Sequence, residues 1–293
     1  MRSCLLNTFV AALLFILPSN LDSVPKEIKP RKAVWFVASQ SDKGLLYLDP
    51  LAQNDGGHLV PVPNGCNPGD SAYRQFVAEN FGSGQTYDIS LRGRLVSNAV
   101  FNESKEERNS YLVADIGMHK LIPADMSGLA SIVIIPHPRL NYRLAPTPSE
   151  QAAAKEIAAR SFKEAGVTAS LLKKISVNKL ERAYLLPSQT PSLIGSFSID
   201  VSEEEGSVHS LFLITTKRHS EYQVDLLWSK VSRGETDNEK MELVDYADMF
   251  GDGRDEIVVE LGLYENYFYR IYEQKKNGSQ WEQIFEAQAL SCE

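Results

Sequence analysis

Apolar residues in the first half of the chain come in short runs bounded by Gly, Pro, Asn or Asp: AVWFVAS (Ala33–Ser39), GLLYLDPL (Gly44–Leu51) and HLVPVP (His58–Pro63). Val, Trp, Phe and Tyr in runs of that length fit a pleated, half-buried surface, so each run predicts a strand. SAYRQFVAENF (Ser71–Phe81) breaks the pattern, placing Tyr73, Phe76, Val77 and Phe81 on one helical face. Alternation returns in QTYDISLRGRLVSNAVF (Gln85–Phe101) through Tyr87, Ile89 and Leu91, which predicts one long strand or two paired ones. SYLVADIGM (Ser110–Met118) and SIVIIPHP (Ser131–Pro138) add two more strands. Residues 30–145 therefore read as a β-rich N-terminal domain carrying a helix.

The clearest helix follows. Thr147-Pro148-Ser149-Glu150 is a start signal: the Thr147 hydroxyl accepts from the Glu150 amide, the Glu150 carboxylate reaches back, and proline suits the first helical position. Ala154, Ile157, Ala158 and Ala165 make an apolar stripe with Phe162 at its edge, and Gly166 supplies a left-handed stop. SLLKKI (Ser170–Ile175) adds a short further turn.

Beyond it the pattern duplicates. LERAYLLPSQTPSLIGSF (Leu180–Phe197) and LVDYADMFGDGRDEIVVEL (Leu243–Leu261) superimpose when Leu193-Ile194 is set on Ile257-Val258, which puts Tyr184 on Asp248 and one polar loop on the other. Each copy continues into an apolar strand, HSLFLIT (His209–Thr215) or YFYRIYE (Tyr267–Glu273). Each then ends in a basic turn and an aromatic-containing strand, KRHSEYQVDLLW or KKNGSQWEQIFE. The period is roughly 60 residues, and both units read strand, loop, strand, strand, strand. Residues 146–293 are thus a helix plus two blade-like antiparallel repeats. The fold class is mainly β with one or two helices, a β-rich α+β chain. Two blades close no propeller ring, so they must pack on each other or on the N-terminal half.

One loop of the repeat carries a family likeness. DMFGDGRDEIVV (Asp248–Val259) resembles the loop of FG-GAP, or integrin-alpha-type (VCBS-like), repeats, which reads Asp-x-Asp-Gly-Asp-Gly-x-x-Asp before a strand. The resemblance is confined to the C-terminal third. It implies a loop between two strands of a propeller blade, with calcium held by acidic side chains and a backbone carbonyl. Carried over, Asp248 takes the first ligand position, Asp252 the fifth and Glu256 the ninth, with Arg254 lending its carbonyl. Phe250 stands at the third position without an oxygen, so waters would complete a weak site. Val259 occupies the position where an EF-hand needs a bidentate Glu. The same residues also read as an ion-free turn, in which Asp248 and Asp252 bind backbone amides and Phe250 plugs the sheet edge. The corresponding loop of the first copy, LLPSQTP, has no carboxylate.

Composition narrows the setting. Of 293 residues, 43% are hydrophobic and 23% charged, with a formal net charge of −8. An acidic surface without a basic run repels phosphate backbones, which argues against a nucleic-acid partner. Arg2 followed by LLNTFVAALLFIL (Leu5–Leu17) and Pro18 reads as a signal peptide over residues 1–23; the alternative is an uncleaved anchor. An apolar helix of that length spans about 20 Å, short for a bilayer core of about 30 Å. No later run is long enough to cross a membrane, so the mature chain is expected to be secreted or periplasmic. Removing the signal removes Cys4 and leaves Cys66 and Cys292, either one disulfide in an oxidising compartment or two free thiols.

Catalytic patterns are weak. The Gly-Asp-Ser string at Ser71 lacks the apolar strand a nucleophile elbow needs, so Ser71 is read as a helix N-cap. His58, His119, His137, His209 and His219 show no metal-ligand spacing. The expectation is an exported, non-enzymatic binding or interaction protein that meets a protein or glycan through loops and strand faces. The alternatives are a secreted hydrolase with carboxylates assembled from distant segments, or a structural envelope protein with a weak calcium loop.

Overall fold

A computed structural model describes residues 33–40, 46–63, 69–100, 104–106, 112–114, 122, 126–132, 145–185, 190–202, 206–275 and 280–287. The signal segment (1–23), Cys66 and Cys292 lie outside the described residues, as do His119 and His137.

The first three apolar runs form strands, β1 (Ala33–Gln40), β2 (Leu46–Asp55) and β3 (His58–Val60), whereas most of each strand predicted over 110–118 and 131–138 lies outside the described residues. Helix α1 (Ser71–Asn80) follows, and Asp70 caps it in place of Ser71, its carboxylate accepting from the Ala72 amide at 2.8 Å. The alternating stretch is two strands, β4 (Thr86–Leu91) and β5 (Arg94–Val100), joined by the two-residue turn Arg92-Gly93. Both turn residues have positive φ, 55° and 70°, the geometry of a type I′ hairpin. Strands β6 (Ser104–Glu106), β7 (Leu112–Ala114) and β8 (Gly128–Ser131) complete an eight-stranded antiparallel sheet. Its order is β5-β4-β8-β1-β2-β7-β6, with β3 also on β2.

Helix α2 (Pro148–Glu164) begins with the full capping box read from the sequence. Its buried face is Ala154, Ile157, Ala158 and Phe162; Ala165 is exposed, because the chain turns away at Gly166 with φ 91°. Phe162, fully buried, takes the place in the stripe that Ala165 was expected to hold. After the one-turn helix α3 (Ala169–Leu172), β9 (Ser176–Ala183), β10 (Ser192–Ser202), β11 (Ser207–Arg218) and β12 (Glu221–Lys230) form one four-stranded meander. A second comprises β13 (Lys240–Ala247), β14 (Glu256–Gly262), β15 (Tyr267–Gln274) and β16 (Trp281–Ala287). The duplication is visible in register. Ala183 pairs with Ser192 and Arg182 with Leu193, as Ala247 pairs with Glu256 and Tyr246 with Ile257. The shift at these pairs is 64 residues. The chain is therefore mainly β with blade-like C-terminal repeats.

The layers stack in a defined order. Phe36 and Ala38 of β1 face α1, where Phe36 meets Phe81 and Tyr87 edge to face at ring distances of 5.3 and 5.6 Å. The opposite face, Trp35 and Val37 with Leu129, packs against Val244, Val258, Tyr269, Ile271 and Phe285 of the second blade. The other side of that blade, Leu243, Tyr246, Ile257 and Val259, packs on Ile194, Phe212 and Ile214 of the first. Helix α2 covers the remaining face of the first blade, Leu193, Phe197, Leu211 and Leu213. Central strands are thus buried on both faces, which is why β11 and β14 read as near-continuous apolar runs. No helix among the described residues is long and apolar enough to cross a membrane.

Candidate functional site

The loop between β13 and β14 is closed largely by its own hydrogen bonds. The Asp248 carboxylate accepts from the amides of Gly251 at 2.6 Å, Asp252 at 3.0 Å and Gly253 at 2.7 Å. Gly251 and Gly253 sit at φ 75° and 86°, the left-handed turns that aim those amides inward. Asp252 accepts from the Arg254 amide at 3.0 Å and from its Nε and Nη2 at 2.9 and 2.5 Å. The same guanidinium reaches β15, donating to Glu273 Oε1 at 3.0 Å and to the Gln274 carbonyl at 3.3 Å. Glu256 is fully buried, with Oε2 accepting from the Met249 amide at 2.7 Å and Oε1 without a hydrogen-bond partner. Burial pushes its carboxyl up to about 9, and the carboxylates of Asp248, Asp252 and Glu273 add to the rise against the pull of the Met249 amide. Met249 is the loop's apolar anchor, set in the core beside Val258, while Phe250 is half-buried.

Calcium needs several oxygens converging on one point. The described carboxylates here are already engaged: three amides surround Asp248, a guanidinium holds Asp252, and Glu256 turns back to Met249. No group of three or more His, Cys, Asp or Glu side chains among the described residues is arranged to hold a metal ion. As they stand, these residues do not fit the ion that the FG-GAP resemblance implies.

A second polar centre went unread in the sequence. Arg92, only 2% exposed, projects from the β4–β5 turn into the junction of the two blades. Its Nε and Nη2 donate to the two Glu181 oxygens at 2.6 and 2.9 Å, and Nη1 donates to the Val244 carbonyl at 2.5 Å. Its backbone amide donates to Asp245 Oδ1 at 2.6 Å. Glu181 and Asp245 occupy equivalent positions of the two repeats, so each blade contributes one carboxylate to the same arginine. Burial pushes Asp245 up to about 7, with Arg92 and two backbone amides pulling the other way. Gly93 lets the turn lie against Tyr246; a Cβ there would stand 3.4 Å from that ring. The alignment of LERAY on VDYAD already held the signal, an acidic residue at matching positions of the first strand of each blade.

Beside this junction a cleft of about 280 Å³ opens between the N-terminal sheet and the blades. Ser39, Gln40, Ser127, Lys179, Glu242 and Glu260 supply its polar lining. Glu242 and Glu260 stand directly opposite each other on β13 and β14, within reach across one strand pair. Glu260 is raised by burial and then by the carboxylates of Glu242 and Asp49, while Lys179 lowers it. Lys179 Nζ donates to the Leu243 carbonyl at 3.1 Å, which ties the first blade to the second. Behind Glu260 lies Asp49, accepting from Tyr267 Oη at 3.0 Å and pushed by burial up to about 6.

Of the histidines, His58 is exposed, while His209 is buried with Nδ1 unpartnered and is lowered by desolvation. Comparison with known proteins finds no matching family model, no matching curated protein and no matching solved structure.

Proposed function

We propose that the chain is an exported, non-enzymatic binding protein whose ligand carries an ammonium or guanidinium group. The reading rests on one observation: the cleft where the three sheets meet sets Glu242 against Glu260, with Asp49 behind them and one lysine beside them. Like charges directly across a strand pair destabilise each other, so a cation entering the cleft relieves a repulsion already present in the fold. Low-dielectric walls concentrate that field and raise the local concentration of a cationic ligand. Such a group reaches the cleft either on a small polyamine or on a basic side chain of a protein. Export is supported by the N-terminal pattern of Arg2 and Leu5–Leu17.

Isothermal titration with spermidine, a lysine-rich peptide and a neutral oligosaccharide tests this. Saturable binding of spermidine or the peptide, weakened at least tenfold in Glu242→Gln/Glu260→Gln, is the expected result; which of the two binds tells small molecule from protein. Heat from the oligosaccharide alone, or amine binding unchanged in the double variant, removes the reading.

A second reading rests on the same pair. Glutamates directly opposite on paired strands can bring their two carboxyls side by side, as a retaining glycosidase requires, and Glu260 is the one held towards its protonated form. Turnover of aryl glycosides, abolished by either single Glu→Gln change, would move the assignment to a hydrolase.

A further inference from the structure

We infer that Arg254 is the resident cation of the Asp248–Glu256 loop, so that the loop keeps its shape on internal charge and independently of calcium. This stands apart from the binding reading of the cleft.

The loop and its neighbour on β15 bring together four carboxyl groups, Asp248, Asp252, Glu256 and Glu273, and the other three add to the rise that burial imposes on Glu256. Something must offset that charge for the strands to close. Asp248 is met by amide dipoles, three N–H groups within 2.6–3.0 Å. Those donors take most of the roughly four lone-pair sites a carboxylate offers. Asp252 and Glu273 are bridged by one guanidinium, whose Nη2 lies 2.5 Å from the first and 3.0 Å from the second. Its Nη1 donates to the Gln274 carbonyl, so the fork reaches two side chains and a backbone oxygen at once. Glu256, buried and facing the Met249 amide, completes the set.

The position of Arg254 gives it a structural task beyond its ion pairs. It follows Gly253 directly, and its own amide also binds Asp252, so backbone and side chain clamp the same carboxylate. The reach to Glu273 and Gln274 then fastens the β13–β14 loop to the end of β15, two strands along the same meander. A divalent ion bridging those carboxylates would fasten the same two places.

The test compares wild type with Arg254→Ala and Arg254→Lys by thermal melting in millimolar calcium and in chelator, together with amide exchange at Gly251–Gly253. Arg254 is a quarter exposed, so the fold survives its removal. Wild type is expected to melt at the same temperature in both buffers. Arg254→Ala is expected to melt about 2–4 °C lower and to exchange the Gly251–Gly253 amides several-fold faster. Arg254→Lys, which keeps the charge and loses the fork, falls between. A rise of several degrees for wild type on adding calcium overturns the inference. So does an Arg254→Ala protein whose melting and amide exchange match wild type.

Discussion

Replacing Arg92 by Met is the most informative single perturbation of this fold. Methionine keeps much of the side-chain length and apolar stem, and it suffers the same left-handed backbone as arginine at φ 55°. What it removes is the guanidinium between Glu181 and Asp245, which are 1% and 0% exposed. Breaking a buried ion pair from one side costs about 3–5 kcal/mol, because the abandoned charge stays out of water. The Val244 carbonyl loses its donor as well, which adds about 1 kcal/mol. A loss of about 4–6 kcal/mol is the expectation, or a Tm lower by about 10 °C or more. Urea unfolding followed by tryptophan fluorescence measures it, since Trp35 lies in the neighbouring core. The combined variant Arg92→Met/Glu181→Gln/Asp245→Asn leaves no charge stranded and should recover more than half of the loss. If Arg92→Met costs under about 1 kcal/mol, or the triple variant is less stable than the single one, the junction is not held by this arginine.

Two further outcomes follow from the geometry. Glu256 has its folded carboxyl raised from 4.5 to about 9, so the folded chain binds that proton more tightly than the unfolded one. The stability it contributes is full below 4.5 and fades as pH climbs towards 9; Glu256→Gln should flatten that decline in urea midpoints taken across the window. Thr147→Ala removes the hydroxyl that caps the Glu150 amide and should cost about 1 kcal/mol by the same assay.

The β content, the α2 capping box and the duplication were legible because each rests on local spacing: alternation, a Thr-Pro-Ser-Glu start, matching loop lengths. The register shift of the two meanders agrees with the alignment that set Leu193 on Ile257. Phe162 was placed at the stripe's edge because helical spacing alone does not say how wide a face its partner covers; the first blade reaches it through Phe197 and Leu211. The candidate site was far less legible. Asp248, Asp252 and Glu256 stood out as a string, but their hydrogen-bond partners depend on how the loop bends. Arg92, Glu181 and Asp245 are separated by 89 and 153 residues, and nothing local in LRGR announces that its arginine will be buried. Glu242 and Glu260 come together only through strand pairing.

The stacking order carries a consequence for how the chain is made. The central slab, β13 to β16, is translated after both of its neighbours, so the ribosome delivers the filling of this sandwich after the bread. Until then the sheet bearing Trp35 and the blade bearing Phe212 each wait with a sticky inner surface. A product truncated near residue 240 would present both at once to chaperones and proteases, and no shortened form of this protein is expected to escape their attention.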